Sequence, residues 1–244
     1  MSKTPARAKA RRDKIEAMRA EEQRQGRRKK NTMISLSVIG VFVVVLGAVF
    51  AINRFTSGSD TAAVAAGESQ LVRADSHKVQ TTADGKVTLV EFLDFECEAC
   101  RAAFPIVEKL RKQYAGKVTF VVRYFPVPSH FNAERSARAV EAAAGQGKFE
   151  AMYQRMYETQ TQWGEKQVPA DALFRTFAQD LGLDMAAWDK AYSDPATLVR
   201  IKKDMADGQA LGVQGTPTFF LNGKKLEPES SDDIKAAIDA ALAG

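Results

Sequence analysis

One continuous stretch, VTLVEFLDFECEACRAAFPIVEKLRKQYAGKVTFVVRYF from Val87 to Phe125, constrains the fold more than any other part of the chain. Val87 to Phe95 is rich in β-branched and aromatic residues and reads as a largely buried strand. Ile106, Val107, Leu110 and Tyr114 then recur at helical spacing, Gly116 ends that helix, and Lys117 to Phe125 reads as a second buried strand. Two buried strands joined through a helix make a strand-helix-strand unit, whose crossover is expected to be right-handed, so an α/β sheet begins here. The only two cysteines of the chain, Cys97 and Cys100, fall at the strand-to-helix junction.

Beyond this unit the pattern turns helical from Asn132 to Gly212. The segment LFRTFAQDL places Leu173, Phe174, Phe177 and Leu181 on one face, and Asp194-Pro195 reads as an N-cap followed by Pro at the first helical position. Trp163 and Trp188 fall in this region and read as core or cap residues. TPTFFLNGKKL then gives a short apolar run, an Asn222-Gly223 turn of type I′ character and a second short run, which predicts a hairpin. A last helix follows, with Ser231 as its cap and Asp232 and Asp233 in its first turn. The predicted order is strand, helix, strand, helical insert, strand, strand, helix, in a mixed sheet, with no internal repeat.

The charge is unevenly divided. The chain carries +5 overall, but residues 1–32 hold 12 Lys or Arg against 4 Asp or Glu, leaving a mildly acidic remainder at −3. A basic tail on an acidic domain points to topology or lipid contact and away from nucleic acid. Residues 33–52, MISLSVIGVFVVVLGAVFAI, are 20 in number and uncharged, and a helix of that length spans a hydrocarbon layer of about 30 Å. Because Arg27, Arg28, Lys29 and Lys30 precede it, the positive-inside rule keeps the N-terminus in the cytoplasm. The expected organisation is a basic cytoplasmic tail (1–32), a single membrane-spanning helix (33–52), a small-residue tether (53–70) and an extracytoplasmic domain (71–244) with its helical insert at about 132–212. A cleaved signal is the competing reading, since Ala63-Val64-Ala65 is an A-x-A sequence, although the apolar run is longer than a signal needs.

Three roles are open to the cysteine pair. As a staple it closes so short a loop that chain entropy gives only about 2 kcal/mol, against roughly 4.7 for a 100-residue loop. A zinc site needs four ligands, and the remaining soft candidates, His77 and His130, lack the second paired spacing. As a redox pair its position is favourable: a thiol at the first turn of a helix faces unpaired N–H groups and the positive end of the helix dipole, both of which favour thiolate. Cys97 is then the nucleophile, and Cys100, one turn further in, the thiol that resolves a mixed disulfide. No phosphate-binding glycine motif, paired metal ligands or serine triad is present, so neither a metal nor another cofactor is implied.

VEFLDFECEACRAAFP and VQGTPTFFLNG together resemble the thioredoxin superfamily, in particular its membrane-anchored bacterial DsbA-like branch, over roughly Leu71 to Gly244. The resemblance implies a thioredoxin-like α/β fold with a helical insertion, opening with SHFNAERSARAVEAAAGQGKFEAMYQRMYETQ, and a helix bent at Pro105. It implies a cis Thr216-Pro217 bond beside the dithiol, with Thr216 and Pro217 binding an extended substrate segment by strand addition. An ordinary trans turn is the alternative. Glu91 stands where the branch keeps a buried acid that exchanges a proton with the resolving cysteine, the alternative being an exposed strand carboxylate. The implied activity is thiol-disulfide oxidation or exchange on cysteine-containing exported proteins, with a quinone-linked membrane protein as reoxidant.

The chain departs from that branch between the cysteines. Strong oxidants carry Pro-His there, and the imidazolium helps to hold the thiolate, whereas this chain has Glu98-Ala99. A negative charge beside Cys97 disfavours the thiolate, so a milder oxidant is expected. His130 lies elsewhere in the chain and is assigned to capping or packing. A reductase or isomerase on the same fold, and a redox-inert anchored binding module, remain as alternatives.

Overall fold

The computed structural model describes residues 70–83 and 85–244. The basic tail, the apolar run at 33–52 and the tether up to residue 69 lie outside the described residues, within which no helix is long and apolar enough to cross a membrane. The sequence TLVEFL forms strand β2 (Thr88–Leu93) and TFVVRY forms β3 (Thr119–Tyr124), with helix α1 (Glu98–Gln113) between them. The strands pair in parallel, from Thr88 opposite Thr119 to Leu93 opposite Tyr124. Every residue of β3 is buried, as a central strand covered on both faces must be. Helix α1 stops at Gln113, short of Gly116, whose φ of 72° supplies the left-handed turn that leads into β3.

The insert comprises α2 (Ala133–Ala144), α3 (Phe149–Thr159), a 3₁₀ turn (Gln160–Gln162), α4 (Asp171–Asp180), α5 (Met185–Ser193) and α6 (Pro195–Ala210). Asp194 caps α6 by accepting the Ala196 N–H at 2.8 Å, with Pro195 at the first helical position as predicted. The hairpin β4 (Thr218–Leu221) and β5 (Lys224–Lys225) turns through Asn222 and Gly223 at φ 47° and 84°, the pair of positive values that a type I′ turn requires. Helix α7 (Ser231–Ala243) closes the fold. Its cap is Ser230 and not Ser231: the Asp233 carboxylate accepts both the backbone N–H and the hydroxyl of Ser230, at 2.7 and 2.9 Å. Two adjacent serines fit the cap equally by composition, and the reach of Asp233 back to the residue three before it decides between them.

One strand leaves no signal in the sequence. β1 (His77–Gln80) pairs antiparallel with β3 at the sheet edge, giving the order β1-β3-β2-β4-β5. HKVQ holds a single apolar residue and is half-buried, so it lacks the pattern by which a strand is recognised.

Alternation along β2 divides the core. Leu89 packs with Val107 and Leu110 of α1 and Ile234 and Ile238 of α7. Val90 and Phe92 point to the opposite face, against Val121, Phe125 and Phe220. Helix α6 approaches that second face closely at Gly208, where an added Cβ would lie 2.8 Å from the Phe125 ring and 3.0 Å from the Phe92 ring. A buried ion pair ties the same helix to β3: Arg123 reaches Asp204 at 2.8 Å and Asp207 at 2.6 Å. Burying a guanidinium is costly unless it is paired and hydrogen-bonded, and Arg123 also donates to the carbonyls of Gln70 and Leu71, each at 2.6 Å. Trp163 and Trp188 are core residues, their indole N–H groups donating to Thr159 and to the Ala139 carbonyl.

Candidate active site

The turn between β2 and α1 is shaped by Asp94. Its buried carboxylate accepts the N–H of Glu96 at 2.8 Å and that of Val127 at 2.9 Å, and its carbonyl accepts the N–H of Cys97 at 3.3 Å. A side chain that bonds its own backbone two residues on fixes an Asx-turn. The result is that Cys97 becomes the N-cap of α1, extended at φ −66° and ψ 122°, while Cys100 lies within the first turn.

The two thiols are free and unequal. Cys97 is 9% exposed and Cys100 0%. The Cys97 thiol is pulled down to about 5, first by a hydrogen bond from the Cys100 thiol, against the opposing effect of burial, and then by Thr216 and the backbone N–H groups of Cys100 and Ala99. In the neutral dithiol the Cys97 sulfur instead donates to the Thr216 carbonyl at 3.3 Å, and no cap hydrogen bond to those N–H groups is formed. They face a charge that has yet to develop. Cys100 is pushed well above the ordinary thiol range by burial, by donating to Cys97, and by the Glu91 charge. One thiol is thus prepared to ionise and its neighbour to keep its proton.

Glu91 is buried on β2, opposite Val122 on one side and Phe219 on the other, which removes the exposed-carboxylate alternative. Burial raises its carboxyl to about 8, with smaller contributions from the Glu108 and Cys97 charges. The Thr216-Pro217 bond is cis, as the resemblance implied, and brings Thr216 against Cys97. The Thr216 hydroxyl is buried and has no hydrogen-bond partner among the described residues. Cys97 therefore meets Thr216, more than a hundred positions away in sequence, and Glu91 lies near enough for its charge to act on Cys100.

Several residues around this site escaped the sequence reading. Buried Gln160 donates to the carbonyls of Phe95 at 2.7 Å and Cys97 at 2.9 Å, and accepts from Arg101 at 3.0 Å. The Glu96 carboxylate accepts the N–H of Asn132 and, at 3.1 Å, that of Glu165. Asn132 in turn donates to the Val168 carbonyl and accepts the Ala170 N–H, both at 3.0 Å. The insert is thereby stitched to the cysteine turn by side chain to backbone bonds, which leave no periodic trace in sequence. His130, assigned to capping or packing, binds the turn directly: its Nδ1 lies 2.7 Å from the Asp94 carboxylate, and that bond raises the imidazole to about 9. Among the described residues, no three His, Cys, Asp or Glu side chains converge as a metal site.

Known proteins share this fold. A crystallised thioredoxin-like oxidoreductase from Silicibacter pomeroyi DSS-3 is 26% identical, with a TM-score of 0.61 over 72% of this chain and 98% of that one. The thiol-disulfide exchange protein alpha-DsbA2 from Wolbachia pipientis, 18% identical, has the same fold at a TM-score of 0.61 over 72% of this chain and 92% of its own. A curated relative, the Na(+)/H(+) antiporter NhaA of Herminiimonas arsenicoxydans, is 28% identical over 217 residues, 88% of this chain. The chain spans only 34% of the length of that relative. The family model described as Thioredoxin matches residues 77–240, from the edge strand β1 into α7 and across the whole dithiol site, and the chain belongs to that family.

Proposed function

We propose that this protein is a thiol-disulfide oxidoreductase of exported proteins, working through Cys97 and Cys100. The observation that carries the reading is the opposed displacement of the two thiols within one helical turn, Cys97 down to about 5 and Cys100 upward. A structural disulfide has no use for such a difference, whereas thiol-disulfide exchange needs one good nucleophile and leaving group beside a protonated partner.

In the oxidising direction a substrate thiolate attacks the Cys97 sulfur of the Cys97–Cys100 disulfide. That bond breaks, Cys97 becomes joined to the substrate, and Cys100 leaves with the electron pair and takes up a proton. Glu91, largely protonated at neutral pH with its value near 8, is the donor. A second substrate thiolate then attacks the substrate sulfur of the mixed disulfide, forming the substrate disulfide and releasing Cys97 as thiolate. Two electrons pass from substrate to protein, leaving the dithiol form of the present structure. Thr216 and Pro217, adjacent to the Cys97 sulfur, hold the substrate segment.

The charge-free run at 33–52 behind its basic cluster supports a membrane anchor with the redox domain on the outer side. Substrates are then cysteine-containing exported proteins, and a quinone-linked membrane protein withdraws the two electrons. Direction depends on potential: about −120 mV marks a strong oxidant and about −270 mV a thioredoxin-like reductant. With Cys97 near 5, between the values of about 3.5 and 7 typical of those two extremes, an intermediate potential is expected. Expression of a Cys100→Ala variant in cells tests the reading. Mixed disulfides should accumulate through Cys97 on exported proteins, and a variant that traps none would favour a redox-inert binding module.

A further inference from the structure

We infer that His130, fixed by the Asp94 carboxylate, is the cation that favours the Cys97 thiolate, a positioning residue for the dithiol supplied from the loop before α2. The inference rests on Cys97 being the reactive thiol and adds to it the source of positive charge, which Glu98-Ala99 does not contain.

Asp94 joins the two partners. Its carbonyl holds the Cys97 N–H at 3.3 Å while its carboxylate holds His130 Nδ1 at 2.7 Å. The ring is set from both ends of a tight turn, because the Val127 N–H binds the same carboxylate and the His130 N–H binds the Val127 carbonyl at 3.0 Å. Asp94 is completely buried and the imidazole is mostly so, and this partial exclusion of water lets a charge act across the turn. The charged groups around the imidazole are Asp94, Glu96 and Cys97 of the cysteine turn and Glu165 of the insert loop, whose carboxylate lies 4.0 Å from Nε2. Glu134 of α2 and Lys202 of α6 line a small cavity of about 290 Å³ that His130 also borders. Apart from Lys202 the surroundings are anionic, so the ring is charged at neutral pH and loses its charge as pH rises through about 9.

The Asp94 hydrogen bond is the chief cause that holds the His130 proton and the Cys97 charge a smaller one, while at Cys97 the hydrogen bond from Cys100 leads. Linkage is reciprocal: if the thiolate stabilises the imidazolium, the imidazolium stabilises the thiolate. Forming the disulfide removes the thiolate, so the His130 midpoint must fall on oxidation. His77, the other histidine, pairs with Glu141 at 2.6 Å and stacks on Phe149, away from the dithiol, and serves as an internal control.

The test follows thiolate absorbance near 240 nm against pH on the reduced full-length chain in detergent, for the wild type, His130→Gln and His130→Lys. The expected result is a Cys97 midpoint raised by about one unit in His130→Gln, a roughly tenfold loss of thiolate on the rising limb, with partial return in His130→Lys. An unchanged midpoint in a folded His130→Gln variant overturns the inference. Should that variant fail to fold, NMR titration of the two wild-type imidazoles decides. The His130 midpoint should drop on going from dithiol to disulfide while that of His77 stays, and equal His130 midpoints in both states overturn the inference. A wild-type Cys97 midpoint at the ordinary thiol value would instead refute the reading of Cys97 as nucleophile, an outcome distinct from a low midpoint that ignores His130.

Discussion

Replacing Glu91 by Gln should flatten the pH dependence of stability. Glu91 has its carboxyl raised from an ordinary 4.5 to about 8, mainly by burial between β3 and β4. A group whose folded value is raised contributes stability that is full below the unfolded value and is lost as pH climbs to the folded one. Between about pH 4.5 and 8 the unfolded chain releases this proton and the native protein keeps it, so stability falls by roughly 1.4 kcal/mol per pH unit. From pH 5 to pH 7 this amounts to about 2 to 3 kcal/mol, a sizeable part of the roughly 5 to 15 kcal/mol available to a domain. Glutamine keeps the shape without the ionisation. Its unpartnered amide carries a cost of about 1 to 3 kcal/mol, but one that is the same at every pH, so the slope is diagnostic and the offset is not. Guanidinium unfolding of the reduced protein, read through buried Trp163 and Trp188, measures both. The wild type should lose about 2 to 3 kcal/mol relative to Glu91→Gln over this window. Parallel profiles would show that Glu91 is ionised in the native site, and the proton donor for Cys100 would have to be another group.

Arg123→Ala should destabilise by about 3 kcal/mol, the lower end of the usual cost of breaking a buried pair, because Arg73 and Arg200 still reach Asp207 and Asp204. The same denaturation experiment checks this, and a loss below about 1 kcal/mol would mean that the pair is not what holds α6 to the sheet. Glu98→His should lower the Cys97 midpoint and raise the reduction potential, since it exchanges an anion for a cation beside the N-terminus of α1. An unchanged potential would count against helix-terminus electrostatics as the control on this dithiol.

What could be read in the sequence follows from which interactions leave a pattern. Strands β2 and β3 were legible because both faces are buried and, Thr88, Glu91, Thr119 and Arg123 apart, every position is aliphatic or aromatic, and the β4–β5 hairpin because Asn222-Gly223 admits few other conformations. β1 was not, since an edge strand with one apolar residue in four resembles a loop. Cys97 and Cys100 were legible through their spacing at a helix start. Glu91, Thr216 and Pro217 were reached only through resemblance, for nothing in their own neighbourhoods states that they converge on sulfur. The clamp by Gln160, the Glu96–Asn132 stitching and the His130–Asp94 pair were hidden because each joins residues 36 to 65 positions apart through a single side chain. The Glu98-Ala99 dipeptide carries no cation, and that the His130–Asp94 pair folds against the same turn is visible only in the structure.

The glutathione redox equilibrium of the full-length chain, with Cys97 and Cys100 quantified by alkylation and mass spectrometry, tests the central claim most directly. An exchange reagent should form one intramolecular disulfide with a potential between about −120 and −270 mV, and at intermediate pH the reduced form should be alkylated at Cys97 before Cys100. A potential below about −300 mV, or two thiols reacting alike, would make the pair a structural bridge and contradict the account.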